Sequence, residues 1–202
     1  RLGRVKPLDI GAVLLYLCRA ETAAGEEMPM ALSLYAVTIP LFQQILGTML
    51  HLLDKAEAHC AQTGAAPETI IDARLAPDML PFSYQVKSTV VHSLGALEGV
   101  KAGIFRPDGS TPPDSFPALR ERVEGALAQL GALTPAEVDA LEGGDMRFAF
   151  GEAHIDFLAE NFLLSFSFPN FLFHATTAYD ILRAQGVAIG KRDFLGRMAK
   201  KR

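Results

Sequence analysis

The chain carries five histidines, His51, His59, His92, His154 and His174. Imidazole is the side chain best suited to metal binding and to proton exchange near neutral pH, so their spacing bounds the chemistry on offer. No two of them have the HExxH spacing that puts two ligands and a base on one helix. His51 and His59 are eight residues apart and share a helical face, with His59 near the helix end. A lone helical histidine of that kind is more often packed or solvated than a ligand. His174 is followed one turn later by Ala178, where an HxxxH pair would carry its second ligand. Cys60, next to His59, falls in a helix C-terminal turn, where the backbone dipole disfavours a thiolate. The sequence has no glycine-rich phosphate loop and no nucleophile elbow.

Two clusters stand out from this background. The first is Arg74-Leu75-x-Pro77-Asp78-Met79-x-Pro81-Phe82-x-x-Gln85-Val86, a charged pair beside two prolines that leads into an apolar helix. It reads as a capping brace, with Asp78 receiving N–H groups at the helix start, or as one side of a ligand site. The second runs from Pro169 to Arg183. On a helix, Asn170, His174, Thr177 and Arg183 project at intervals of about one turn or its multiples. Polar groups at that spacing in an apolar helix make either a satisfied buried network or a pocket wall. The candidate ligand-binding residues are therefore His174, Tyr179, Asp78, Asn170 and Arg183. Asp78 is expected close to the last helix, because a half-buried carboxylate among Leu75, Met79, Ile181 and Leu182 needs a cation. Arg74 or Arg183 would supply it as a two-pronged guanidinium.

These residues need a helical frame. Ser33 can cap a first helix, whose apolar residues recur at Val37, Leu41, Ile45, Met49, Leu52, Leu53 and Ala56 until Gly64 stops it. A bend at 74–81 precedes a second helix from about Phe82 to Leu97, broken by Gly99 and Gly103. The Gly/Pro-rich loop 105–113 leads to a third helix, capped by Asp114 or Ser115, with Pro117 in its first turn. Thr134-Pro135-Ala136-Glu137 is a capping-box pattern that opens a short helix. Residues 146–150 alternate only partly and read as a brief extended piece at most. Residues 155–166 read as helix, and Pro169-Asn170 begins the last main helix, which Gly186 ends. The basic tail 190–202 is expected to wrap or fray. The sum is an all-α fold: an antiparallel bundle of four main helices with long decorated connections and no substantial sheet.

Composition narrows the class. Of 202 residues, 50% are hydrophobic and 21% charged, with a net charge of −4. Disordered chains lack that apolar share, and a general nucleic-acid binder would show a basic balance. No run reaches the ~18 uninterrupted apolar residues of a bilayer span. The two cysteines, Cys18 and Cys60, are too few for a disulfide framework. A cytoplasmic protein that binds neither nucleic acid nor membrane is expected, with one domain over 30–202. Residues 1–29 differ: the apolar stretch 10–18 is flanked by Arg1, Arg4, Lys6 and Arg19 and is followed by Met28 and Met30. This leader reads as translated upstream sequence, a signal-like segment or a structural leader helix. Phe157, Phe162, Phe166, Phe168, Phe171 and Phe173 crowd one region more densely than one helix stripe can bury. A homodimer, or an internal cavity for a ligand, is the expected consequence.

The two clusters also carry a resemblance. Arg74-Leu75-x-Pro77-Asp78-Met79, Phe171-x-Phe173-His174-x-Thr176-Thr177-Ala178-Tyr179-x-Ile181-Leu182-Arg183-x-x-Gly186-Val187 and Gly190-Lys191-x-Asp193-Phe194-Leu195-Gly196 resemble domain-of-unknown-function family nineteen ninety-three, an uncharacterised bacterial family. Leu32-Ser33-Leu34-Tyr35 and the stretch 53–59 fit it as well, so the resemblance spans Met30 to Gly196. That family is similar to DinB-like four-helix bundles, many of which are read as metalloenzymes and some as thiol-dependent transferases. The DinB-like pattern takes one histidine from the second helix and an HxxxH pair from the last. Here His92 and His174 match two of those positions, and Ala178 stands in the third. His154, Asp156 or Asp78 would have to complete a Zn²⁺ or Ni²⁺ site. Two functions follow from the resemblance. One is a small-ligand-binding or structural homodimer without an intact metal triad and with no cofactor. The other is a metal-dependent DinB-like transferase using His92, His174 and a third ligand.

Overall fold

Ser33 opens the first helix as the spacing predicts: its hydroxyl accepts from the Ala36 N–H, and Gly64, at φ +73°, closes the far end. The computed structural model describes residues 32–201, so the expectations for the leader 1–29 lie outside the described residues. This first helix, α1 (Leu34–Thr63), is long and apolar enough by composition to cross a bilayer. Its apolar residues Ile39, Phe42, Leu46, Met49 and Leu53 are instead buried in the core. A short α2 (Glu68–Ile71) and a bend then lead to α3 (Phe82–Val90). The rod does not end at Leu97. It passes through a π turn, Val91–Gly95, into α4 (Ala96–Ala102) and stops at Gly103, φ +71°.

β1 (Ile104–Phe105) follows, then α5 (Phe116–Ala132), capped by Ser115. The capping box at Thr134 and Glu137 forms and opens α6 (Pro135–Asp139). Next come β2 (Asp145–Phe150) and β3 (Ala153–Leu158). The last rod is α7 (Ala159–Asn161), a second π turn (Phe162–Ser167) and α8 (Phe168–Ala184). Among the described residues there are thus four long helical rods; α8 packs on α3, α3 on α5, α5 on α1 and α1 on α8.

The sheet corrects the all-α expectation. β1 pairs parallel with β2, and β2 pairs antiparallel with β3 from Asp145↔Leu158 to Phe150↔Ala153. Residues 155–158, expected as helix, are strand. Gly151 and Glu152 form a two-residue loop with Gly151 at φ +55°, as a type II′ turn requires at its first central position. That turn fixes the register in which the segments on either side pair. Met146, Phe148 and Phe157 face the rods and pack there.

The tail is also more ordered than expected. α9 (Lys191–Leu195) docks on α1, where Gln44 Nε2 donates to the Leu195 carbonyl at 2.7 Å and Thr48 Oγ1 to the Phe194 carbonyl at 3.0 Å. His51 Nε2 meets Asp193 Oδ1 at 2.7 Å, which makes His51 a tail clasp. The crowded phenylalanines are mostly consumed inside one core: Phe162 and Phe171 are fully buried, and Phe157, Phe166 and Phe168 pack against them. Only Phe173 among them is exposed. Their number therefore no longer argues for a partner.

Gly99 does not break its helix; it lets β1 lie against it. A Cβ there would sit 3.0 Å from Phe105 Cβ and 3.3 Å from the Ile104 carbonyl oxygen. Gly99→Ala should lower stability by about 1–3 kcal/mol through that overpacking. A urea midpoint unchanged from the parent would show that β1 is free to give way.

Candidate functional site

The second rod is polar on the inside. Ser83, Gln85, Lys87, Ser88, Thr89 and Ser93 are all buried, and each must find a partner. Thr89 and Ser93 bond carbonyls of their own rod. Gln85 and Lys87 reach further, and they shape the site.

Gln85 Nε2 donates to the Leu80 carbonyl at 2.8 Å, which turns its Oε1 toward His174 Nδ1, 2.7 Å away. An amide oxygen only accepts, so His174 holds its proton on Nδ1 and leaves a lone pair on Nε2. The bend before α3 positions that carbonyl. Arg74 Nη1 donates to the Met79 carbonyl, and the Phe82 N–H to the Ala73 carbonyl at 2.9 Å. The bend is a brace, as one reading of the sequence had it, but Asp78 has no part in it.

His92 sits in the π turn of the second rod. A π turn takes carbonyls off the regular helical ladder. Ser167, at the end of the other π turn, donates its hydroxyl to the His92 carbonyl at 3.0 Å. With that proton committed, Ser167 Oγ can only accept from His92 Nδ1, at 3.3 Å. His92 therefore has the same tautomer as His174. The two rings stack, with centroids 5.6 Å apart and planes 16° from parallel. Burial holds both imidazoles at about 4, down from 6.5, and for His92 the neighbouring His174 adds to the effect. Both are neutral at pH 7. Neither Nε2 has a protein partner among the described residues, and neither is sealed from solvent.

His92 lines a recess of about 100 Å³ with Tyr84, Ser88, Phe105, Phe148, Phe166 and Asn170. Tyr84 and Phe173 stand edge-on to His174 at 6.0 and 5.5 Å. Asn170 gives its Nδ2 to the Phe166 carbonyl at 2.8 Å and keeps Oδ1 as an acceptor. The rim is fixed by Lys87, only 1% exposed. Its ammonium donates to the Asp108 and Ser110 carbonyls at 2.8 and 2.5 Å and lies 3.2 Å from Asp108 Oδ1. Arg122 holds the other carboxylate oxygen at 2.8 Å. Burial pushes the Asp108 carboxyl up, but bonds from Ser110 and Lys87 outweigh this and bring it to about 2.

Of the residues singled out in the sequence, the structure brings together His92, His174 and Asn170. The other three lie elsewhere. Asp78 is exposed and forms no ion pair among the described residues. Arg74 serves the Met79 carbonyl, and Arg183 Nη1 serves the Ile189 carbonyl at 2.7 Å. The Asp78 carboxylate stands in solvent, where water solvates it and no cation is needed. Tyr179 packs edge-on to Phe194 of the tail. Gln85, Lys87, Ser167 and Asp108 were not recognised as site residues, although Gln85, Ser88 and His92 stand at i, i+3 and i+7 along one helix face.

A family model, Domain of unknown function (DUF1993), matches residues 34–195. The chain belongs to this family. The fold is similar to a crystal structure of a DinB family member protein from Shewanella denitrificans, at 25% identity and a TM-score of 0.71. The match covers 84% of this chain and 95% of that one. No curated protein matches the chain.

In this DUF1993 chain the residues do not fit the metal site that a DinB-like fold implies. A protein-held Zn²⁺ or Ni²⁺ needs three or four ligands, and two imidazoles are present. The described residues hold no group of three such side chains. His154 and Asp156 lie exposed on β3, where Asp156 is held by Arg147 at 2.6 Å, and Asp78 faces solvent.

Two predictions follow from these charges. Asp108→Asn leaves the Lys87 ammonium buried without a counter-ion and should cost roughly 3–5 kcal/mol, whereas Lys87→Met, which removes the charge, should cost less. Chemical denaturation of both variants checks the order; a harmless Asp108→Asn would mean that the lysine is not truly enclosed. The histidines set an acid limb. Their folded values lie below the unfolded 6.5, so the unfolded chain takes up protons first. Stability should fall as pH drops from 6.5 toward 4, by at most about 1.4 kcal/mol per pH unit for each imidazole. Urea unfolding between pH 7 and 4.5 should give a shallower slope for His92→Gln than for the parent, and equal slopes would contradict the assignment.

Proposed function

We propose that this protein binds a small uncharged molecule bearing a hydroxyl or N–H donor, in the recess lined by His92, on which His174 stacks. The observation that carries this reading is the pair of Nδ1 bonds, to Ser167 and to Gln85, which leaves two neutral imidazoles, each Nε2 without a partner among the described residues. Such a pair accepts hydrogen bonds. At about 4, the imidazoles are weak bases at pH 7, which favours binding over proton abstraction. Aromatic walls from Tyr84, Phe105, Phe148 and Phe166 suit a flat ligand. The recess of about 100 Å³ is on the scale of a single ring. A metal-dependent transferase reading lacks a third ligand.

Phenol and anisole are matched probes, since methylation removes the donor and keeps the ring. Calorimetric titration at pH 7 should show phenol binding at least about tenfold tighter than anisole, the worth of one good hydrogen bond. The preference should vanish in His92→Phe and below pH 4, where Nε2 becomes protonated. Equal binding of the two probes, or binding of neither, would overturn the reading.

A further inference from the structure

Among the described residues β3 is a free sheet edge: Ala153 through Asp156 are exposed, and the strand bonds only β2. Exposed edges normally carry lysine, proline or a bulge as protection against pairing. The segment Ala153-His154-Ile155-Asp156-Phe157-Leu158 has no lysine, proline or bulge, its one carboxylate, Asp156, is already paired with Arg147, and its register with β2 is unbroken.

One bond fixes which residues the edge offers. The Ala159 N–H donates to the Gly144 carbonyl at 2.8 Å, so that pair is a hydrogen-bonded one. Antiparallel pairs alternate between bonded and non-bonded. Residues 153, 155 and 157 therefore bond β2, and the N–H and C=O groups of His154 and Asp156 point to the open edge. The Arg147 N–H, which donates to the Gly103 carbonyl at 3.0 Å on the β1 side, obeys the same alternation.

We propose that the partner of this edge is β3 of a second copy, paired antiparallel about a two-fold axis at Ile155. A two-fold pair that keeps like faces together must be centred on a residue, because a one-residue slip exchanges the faces. Centring on Asp156 sets two carboxylates opposite each other. Centring on His154 sets Glu152 opposite the partner's Asp156. Centring on Ile155 sets His154 opposite the partner's Asp156, imidazole against carboxylate, twice. The outward groups of both residues are then satisfied by backbone bonds. Ile155, 53% exposed, meets the partner's Ile155 in a non-bonded position, where side chains approach most closely. Arg147, already 2.6 Å from Asp156, shares that polar face. The pairing is isologous, so it closes at two copies.

Three variants test both the pairing and its register. In sedimentation velocity at micromolar concentration the chain should run as a dimer. His154→Pro removes an outward N–H without touching the β2 ladder. It should raise the dimer dissociation constant about tenfold or more, with an unchanged far-UV circular dichroism spectrum. In a Cys18→Ser background, Ile155→Cys should cross-link to itself on mild oxidation and Asp156→Cys should not. A parent that stays monomeric overturns the proposal. A dimer indifferent to His154→Pro, or cross-linking no better at 155 than at 156, overturns it as well.

Discussion

A histidine side chain can donate or accept, and what a site of two histidines can do depends on which nitrogen is already engaged. In this protein the Nδ1 atoms are committed, one to Gln85 and one to Ser167. Each partner is held in turn: Gln85 by the Leu80 carbonyl, Ser167 by the His92 carbonyl that a π turn exposes. Much of the surrounding structure serves these two bonds. The 74–81 bend places Leu80, and the paired π turns bring His92 and Ser167 within reach of each other.

Burying polar groups around the site carries a cost that the fold meets largely by pairing, with the Arg122 Nε left without a partner among the described residues. Lys87 is the extreme case, an ammonium 1% exposed whose donors reach two loop carbonyls and Asp108. A buried charge of this kind is stabilising only while its counter-ion remains. It ties the loop after β1 to the second rod and thereby sets the rim of the recess. The aromatic cluster of Phe105, Phe148, Phe162 and Phe166 forms the apolar counterpart on the sheet side.

The helical frame was legible where local chemistry decides it. Ser33, Gly64, Ser115 and the Thr134–Glu137 box act as their sequence positions suggest. The hairpin is not legible from alternation alone, because residues 146–150 alternate only partly; it rests on Gly151-Glu152, a two-residue turn whose glycine takes the positive φ. The π turns leave no local signature; they arise where tertiary bonds to displaced carbonyls compete with the helical ladder. The site was half legible. His92, His174 and Asn170 stood out as polar residues in apolar helices. Asp78 and Arg183 do not join them, because Asp78 is exposed to water and needs no cation, and the Arg183 guanidinium serves the Ile189 carbonyl. Gln85 and Lys87 were hidden because a buried amide or ammonium looks in sequence like any solvated one.

The central claim is that both imidazoles are neutral Nδ1–H tautomers with Nε2 free. Two-bond ¹⁵N–¹H correlation spectra of labelled protein report this directly, since the protonated and bare nitrogens resonate far apart. At pH 7 the account predicts protonated Nδ1 and bare Nε2 for both His92 and His174, unchanged until the pH approaches about 4. A proton on Nε2 of either ring, or an imidazolium signal from either at pH 6, would contradict it.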